Sequence, residues 1–483
     1  MFRLLFLFTL SLALSSGAVA AVKWNNSSSS SNAECGFGCK PDSKTLELIR
    51  STSKNDSNEL DLVETNHQTE EFPRTFFAGF GSKWFLNIHN WGDGGTGKGR
   101  YFALTEKQIQ TIASVAPYPI RLQINVENFL FWEKCKGRSE LSYDVHNQCY
   151  EQAFKEASKS GWKTELDSLR DISSHPMFGM YLNAVKQINN KDLPVIIVPT
   201  DFFWGRNQNA ISATHDPLLY QYLENDETFQ KVYIKFSNAL VAELAKQGVS
   251  KMSFQSINEA RYCGADHKSP VLGSWQKLER RIFEAVRMAA PKIHLIGTAV
   301  CTAGHGPIKG AKRLKNIGNY IAAHPDLENI SYAVHFRNPR ILHHANFYKL
   351  SSINYPYQKL KVDKSKGEYV DEPAQREYER LKPNRKHYER LFADLSAFAK
   401  KNDIHLIITE WSVSKPDYGL KNEQRLNLMA DILGAAKNNN ISIIYNGIFG
   451  RDGIGLGKDN LSRPSSNFDP NILNLWKKTN SIE

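Results

Sequence analysis

Short apolar runs recur along this chain, each pair separated by enough residues for a helix. Pro119 to Asn125, Leu193 to Pro199, Met252 to Ile257, Ile293 to Ala299, Ile330 to His335, Leu406 to Thr409 and Ile441 to Tyr445 have strand length and are apolar enough to be buried, and Trp84 to His89 reads as a further run ahead of them. Between them lie amphipathic patterns of helical period: Thr105 to Val115, Glu227 to Lys246, Trp275 to Ala289 and Tyr388 to Lys400. In the second of these, Val232, Phe236, Leu240 and Leu244 fall on one face. Strands alternating with helices predict an α/β protein with a parallel sheet, and eight is the number that closes a (β/α)8 TIM barrel. An open doubly wound sheet is the alternative.

Three connections after strand ends are long: Asn128 to Gly161, Phe202 to Pro217, and Arg337 to about Asn384. They read as loops that wall in a cleft on the catalytic face of the barrel. Ahead of the barrel, residues 1–20 (MFRLLFLFTLSLALSSGAVA) carry one early cation, Arg3, an apolar core and the small residues Ala18-Val19-Ala20, the pattern of a cleaved secretion signal. The run Leu4 to Leu14 is too short to span about 30 Å of hydrocarbon, which argues against a membrane anchor. Residues 21–71, with the tract WNNSSSSSNAE and at most a loose helix at Ser43 to Arg50, read as a Ser-rich linker and a poorly ordered segment; one globular domain is expected over 72–483. Secretion or export to a periplasm follows from the signal.

The formal charge of +11 permits an acidic partner, but Lys and Arg are scattered among Asp and Glu, as in RLKPNRKHYERL, and no nucleic-acid-binding signature accompanies them. No nucleic acid and no stable membrane insertion are expected. Six cysteines in an exported chain favour disulfides: Cys135 with Cys149 inside one loop, Cys263 with Cys301 between neighbouring loops, and Cys35 with Cys39 as a small ring or a metal site that no nearby histidine completes.

The chemistry gathers at strand ends. In KMSFQSINEARYCG an apolar run stops at Asn258-Glu259, and in HLIITEWS another stops at Glu410-Trp411. Two carboxylates suffice to split a glycosidic bond, one donating a proton to the leaving oxygen and the other acting as nucleophile or base. The donor must keep its proton and the nucleophile must stay ionised, which a neighbouring cation such as Arg121 in PIRLQI can arrange. Trp91, Phe131, Trp132, Phe203, Trp204 and Trp411 fall at or after strand ends, where apolar sugar faces could pack on them; Trp204 and Trp411 are the foremost of these.

Asn258-Glu259, Thr409-Glu410-Trp411, Arg121 in R-L-Q-I and His335 in VHFRNP together resemble clan A of the retaining glycoside hydrolases, most nearly family 5, the cellulase family. The resemblance runs from about Phe72 to Trp476 through short strand-end motifs. It implies a (β/α)8 barrel that cleaves β-linked glycans, with Glu259 as acid/base and Glu410 as nucleophile. It further implies that Asn258 bonds the sugar 2-hydroxyl, Arg121 orients the nucleophile and His335 lines the cleft. Beside it, Trp204, Trp411, Trp91 and Tyr445 are expected from their strand-end positions to be further sugar contacts. Three positions depart from the family pattern. Thr200 and Asp201 stand where a histidine is usual after strand three. Phe336 and Arg337 stand where an aromatic hydroxyl follows the strand-six histidine, a role open to Tyr355 or Tyr357. Tyr445-Asn446-Gly447, with Phe449 nearby, replaces the tryptophan after strand eight.

GDGGTGKG has phosphate-loop spacing at Gly92, Gly97 and Lys98, but Gly99 occupies the Ser/Thr position, so it reads as a flexible loop. His343-His344 likewise reads as loop rather than metal site. The expectation is thus a secreted, monomeric, metal- and cofactor-independent enzyme whose partner is a β-linked oligo- or polysaccharide of the cellulase, β-glucanase or β-mannanase kind. A non-catalytic glycan-binding barrel and a transglycosylase using the same glutamates are the alternatives. For retention by double displacement, the two carboxyl groups should lie about 5–5.5 Å apart.

Overall fold

The computed structural model describes residues 60–82, 104–135, 143–200, 218–258, 270–298, 324, 326–337, 339–343, 350, 353–370, 372–414, 420–448, 454 and 467–482. Eight strands form a closed, wholly parallel barrel in sequence order: β1 (Ala78–Ser82), β2 (Ile120–Asn125), β3 (Val195–Thr200), β4 (Met252–Gln255), β5 (His294–Thr298), β6 (Ile330–His335), β7 (His405–Trp411) and β8 (Ser442–Asn446). The expected (β/α)8 barrel is therefore the fold.

Seven of the expected strands coincide with observed ones within a few residues; the first does not. β1 is AGFGS, upstream of the apolar run at Trp84 to His89, which lies outside the described residues. Its glycines explain both why it escapes an apolar-run search and why it is a strand. A Cβ at Gly79 would stand 2.8 Å from the Pro119 carbonyl oxygen, closer than such contacts tolerate. A bare backbone is what lets β1 lie between β2 and β8.

Helices cover the barrel. Glu106–Ala113 starts in a capping box at Thr105, and Glu227–Lys246 and Arg385–Lys401 are N-capped by Asp226 and Asn384. The connection from Asn128 to Gly161, expected as a loop, is largely two helices, Val126–Cys135 and Tyr143–Lys159. Tyr150, Ala153, Phe154 and Ala157 recur at helical spacing and are buried, with Phe131, Phe154 and Phe229 packed around Trp162. That side-chain stripe overrides the loop-like composition nearby. The Cys135–Cys149 disulfide is formed and joins these two helices. Arg337 to Asn384 also holds structure: short helices at Arg340–His343 and Lys364–Lys366 and a longer one at Glu372–Leu381. The cysteines at 35, 39, 263 and 301, the loop Phe202 to Pro217, the GDGGTGKG loop and Ser43 to Arg50 all lie outside the described residues.

The segment 60–71, expected to precede the globular domain, is held against it. Leu60 is buried, Thr65 N donates to the Met288 carbonyl (2.9 Å), Glu70 N donates to the Ser250 carbonyl (3.0 Å), and His67 Nε2 bonds the Val249 carbonyl (2.9 Å). A segment sparse in apolar residues is thus fixed by backbone hydrogen bonds that composition does not reveal.

Beyond it, the amino end of the barrel is plugged. Phe72 stacks on His294 (ring centres 4.1 Å apart) and meets Phe77 edge-on. His405 Nδ1 and His294 Nε2 both bond Ser331 Oγ (2.8 Å each), and His294 Nδ1 bonds Asn329 Oδ1 (2.7 Å). Burial pushes His294 down to about 3 and His405 down to about 4. One proton order satisfies the chain with both rings neutral: His405 donates to Ser331, Ser331 to His294, and His294 to Asn329.

Among the described residues no helix is long and apolar enough to cross a membrane.

Candidate active site

The carboxyl end of the barrel interior is built mainly from β2, β4, β6 and β7. On β2, Ile120, Leu122 and Ile124 pack into the layer between sheet and helices, so the alternation turns Arg121, Gln123 and Asn125 inward. All three inward residues are buried. Arg121 donates from Nε to Gln255 Oε1 (2.9 Å) and from Nη2 to Asn258 Oδ1 (2.7 Å); Gln123 Nε2 donates to the same Asn258 oxygen (2.8 Å). Asn258 N in turn donates to the Pro199 carbonyl (3.0 Å), and Gln255 Nε2 donates to the Ile257 carbonyl (2.9 Å) and Thr298 Oγ1 (3.0 Å). The end of β4 is therefore held by β2, β3 and β5 together.

Glu410 reaches this network through an irregularity in β7. Ile407 faces the barrel interior, and strict alternation would turn Thr409 inward as well and Glu410 outward. The pairing slips by one residue against both neighbours: Val334 pairs with Ile408 but His335 with Glu410, and Ile408 pairs with Ile443 but Trp411 with Tyr445. One extra residue in β7 re-aims the carboxylate, as bulges beside functional sites do. Glu410 is 2% exposed. Its Oε2 lies 3.7 Å from Arg121 Nη1 and 3.7 Å from His335 Nδ1, and its Oε1 is ion-paired with Arg337 Nη2. Two guanidinium groups on one buried carboxylate favour its ionised form.

The structure thus brings together four of the residues singled out from sequence, Arg121, Asn258, His335 and Glu410. Glu259, Trp91 and Trp204 lie outside the described residues. Trp411 and Tyr445 do not belong to the cleft. Both are wholly buried, Trp411 lying parallel to Trp476 (6.0 Å) and edge-on to Tyr445 (4.9 Å) in the layer between barrel and helices. The Tyr445 hydroxyl donates to the Val413 carbonyl (3.1 Å) and accepts from Arg425 Nη2 (3.2 Å). The bulge that turns Glu410 inward also turns its neighbour outward, so adjacency to a strand end misplaces both aromatics. Phe131 is likewise core.

Neither loop tyrosine replaces the aromatic hydroxyl. Tyr355 donates to Asp431 on the helix Asn422–Asn438, and Tyr357 packs on Tyr378 (5.1 Å). His343 bonds the Ser412 carbonyl, a structural role, and His344 lies outside the described residues. No group of His, Cys, Asp and Glu among the described residues could hold a metal.

Sequence reading passed over Gln123 and Gln255, and it named Arg337 and Asn446 only as departures from the family pattern, with no role. The two glutamines carried a usable signal, since a polar residue inside an otherwise apolar strand is either wasted or networked. Asn446, at the end of β8, is 3% exposed, and neither its Oδ1 nor its Nδ2 has a partner among the described residues.

The barrel architecture is shared with proteins of known structure. No family model and no curated protein matches the chain. Among solved structures, it is similar to the clostridial cellulose synthase subunit Z (CcsZ) from Clostridioides difficile, at 13% identity and a TM-score of 0.50, over 83% of this chain and 99% of that one. It is also similar to endoglucanase Cel5A of Thermotoga maritima, in one structure with cellobiose, at 13% identity and a TM-score of 0.51, over 84% of this chain and 100% of that one. At that identity the likeness shows the fold, which the chain shares with these structures as a closed eight-stranded parallel barrel.

Proposed function

We propose that the protein is an exported retaining glycoside hydrolase acting on β-linked glycans. The observation that carries this reading is the Glu410 carboxylate, buried at the carboxyl end of β7, turned inward by the bulge and faced by Arg121, Arg337 and His335. A displacing carboxylate has to be ionised, fixed and shielded from water, and burial beside two guanidinium groups supports that role for Glu410. In the first step a Glu410 oxygen forms a bond to the anomeric carbon as the glycosidic C–O bond breaks, and the departing oxygen takes its proton from Glu259. In the second, water attacks the same carbon, gives its proton to Glu259 and releases Glu410. Asn258, fixed by Arg121 and Gln123, sits beside this centre to meet the sugar. The fold shared with endoglucanases supports glycan as substrate.

One contact favours a second reading, a barrel that binds glycan without cutting it. Arg337 takes up Glu410 Oε1 and would have to yield it during displacement. Hydrolysis of soluble β-glycans by the wild type, Glu259→Gln, Glu410→Gln and Arg337→Met separates the two, with the first-formed anomer followed by NMR. Activity lost in both glutamate variants, with a β-product, supports double displacement. A wild type that binds a glycan and cuts none, with both glutamate variants binding as well, supports the binding protein.

A further inference from the structure

We infer that the Asn446 carboxamide is the group that reads the sugar held at Glu410, bonding two neighbouring hydroxyls of a neutral pyranoside; the inference rests on the reading of Glu410 as a glycosidase nucleophile. Its position follows from the strand. Ile444 belongs to the cluster inside the barrel and Tyr445 to the layer outside it, so Asn446, the last residue of β8, faces inward at the carboxyl end.

Its neighbours are fixed by β1. Gly81 pairs with Arg121 on one side and Asn446 on the other. A Cβ at Gly81 would lie 3.2 Å from Asn446 Oδ1 and 3.4 Å from Arg121 Cβ. The amide and the stem of Arg121 therefore flank the same space, left open by a residue that has no side chain. Arg121 then leads directly to Glu410 and Asn258. The amide thus belongs to the nucleophile's surroundings.

What sets Asn446 apart is that both its polar atoms are buried and unpartnered among the described residues. Arg121, Gln123, Gln255 and Asn258 bond one another at this end of the barrel, and Asn125, whose Nδ2 lacks a partner among the described residues, still accepts from Asn128 N through Oδ1. An amide left out of such a network is costly for the empty fold and is explained by a ligand that completes it. The chemistry of that ligand follows from the amide itself. It presents one acceptor and one donor side by side, which adjacent hydroxyls match by donating to Oδ1 and accepting from Nδ2. The carboxylate of a uronic acid has no proton for Oδ1 and would satisfy only half of it.

The test is kinetic and thermal. Asn446→Leu is similar in size and removes both bonds; Asn446→Ser fits the same space, keeps one hydroxyl, and serves if the leucine variant does not fold. Substrates are soluble β-glucan, β-mannan and β-xylan, with a β-linked polyglucuronate for contrast. The expected result is a wild type that prefers a neutral glycan and a variant kcat/KM about 10- to 100-fold lower on it. The Asn446→Leu melting temperature is expected to be unchanged or higher, because an unpaired amide has been removed.

A variant that keeps wild-type kcat/KM overturns the inference while leaving Glu410 in its role, as does a wild type that prefers the polyglucuronate. Activity lost only in proportion to a fall in melting temperature shows a structural amide and overturns it too. A wild type that neither cuts nor binds any of the four glycans removes the parent reading itself, an outcome seen without any variant.

Discussion

The two ends of the barrel interior are built from the same eight strands and treat polar side chains in opposite ways. At the amino end, His294, Ser331, His405 and Asn329 form one uncharged chain of hydrogen bonds under the Phe72 ring. At the carboxyl end, a buried carboxylate is faced by one buried and one half-buried guanidinium group, and an amide is left unbonded among the described residues. The first arrangement is what a core needs to close. The second costs the empty barrel more, since at the amino end His405 Nε2 alone of that chain lacks a partner among the described residues, whereas here a carboxylate sits with two cations and both polar atoms of one amide are unpartnered.

The contrast is best broken at the charged end. Glu410→Gln should reduce glycan hydrolysis by about 10³-fold or more. Its melting temperature should move far less than that of Arg121→Met, and calorimetry of both variants checks this. Arg121→Met strips donors from Gln255 and Asn258 and a cation from Glu410, so a loss of about 3–5 kcal/mol in denaturant unfolding is expected.

The amino end answers to pH instead. Both imidazoles titrate in the fold below their ordinary 6.5, so between those limits the unfolded chain binds more protons. Their contribution is complete above pH 6.5 and is lost as pH falls through about 4 towards about 3. Melting curves across that range should lose on the order of a few kcal/mol, and the double variant His294→Asn, His405→Asn should give a flatter profile. Removing the Cys135–Cys149 bridge, which belongs to neither end, should cost about 2–3 kcal/mol in unfolding while leaving kcat in place. The smallest stability effect is expected from Gly81→Ala. The added methyl meets the Asn446 and Ile444 side chains at 3.2–3.3 Å, neighbours that can give way, so the variant should fold with under about 1 kcal/mol lost yet raise KM. Gly79→Ala, whose methyl would meet a backbone oxygen, should destabilise more.

The barrel was legible in the sequence because its strands are buried on both faces and read as apolar runs separated by helical patterns. β1 was not, since a strand made mostly of alanine and glycine carries no such run. The helices Val126–Cys135 and Tyr143–Lys159 were obscured by polar surroundings, although the Tyr150, Ala153, Phe154, Ala157 spacing held their signal. At the site, Arg121, Asn258, His335 and Glu410 could be found because chemistry clusters at strand ends. Which face each side chain takes could not. Trp411 and Tyr445 were drawn into the cleft by proximity alone, and Arg337 looked like a departure until the ion pair gave it a place. Asn446 carried no signal of its own, because an unpaired atom is a property of the packed interior.

The extra residue in β7 has a consequence for how such a site could be lost or gained. Facing in a strand works like a two-beat rhythm, and Thr409 is a residue that the rhythm skips just before the carboxylate. Deleting that threonine would leave Glu410 directly after the outward Ile408 and so still inward, whereas a β7 of the same length paired without the slip would turn Glu410 toward the covering helices and bring its neighbour Trp411 into the cleft. A barrel of this kind therefore stands one register slip away from exchanging a reactive group for an aromatic platform.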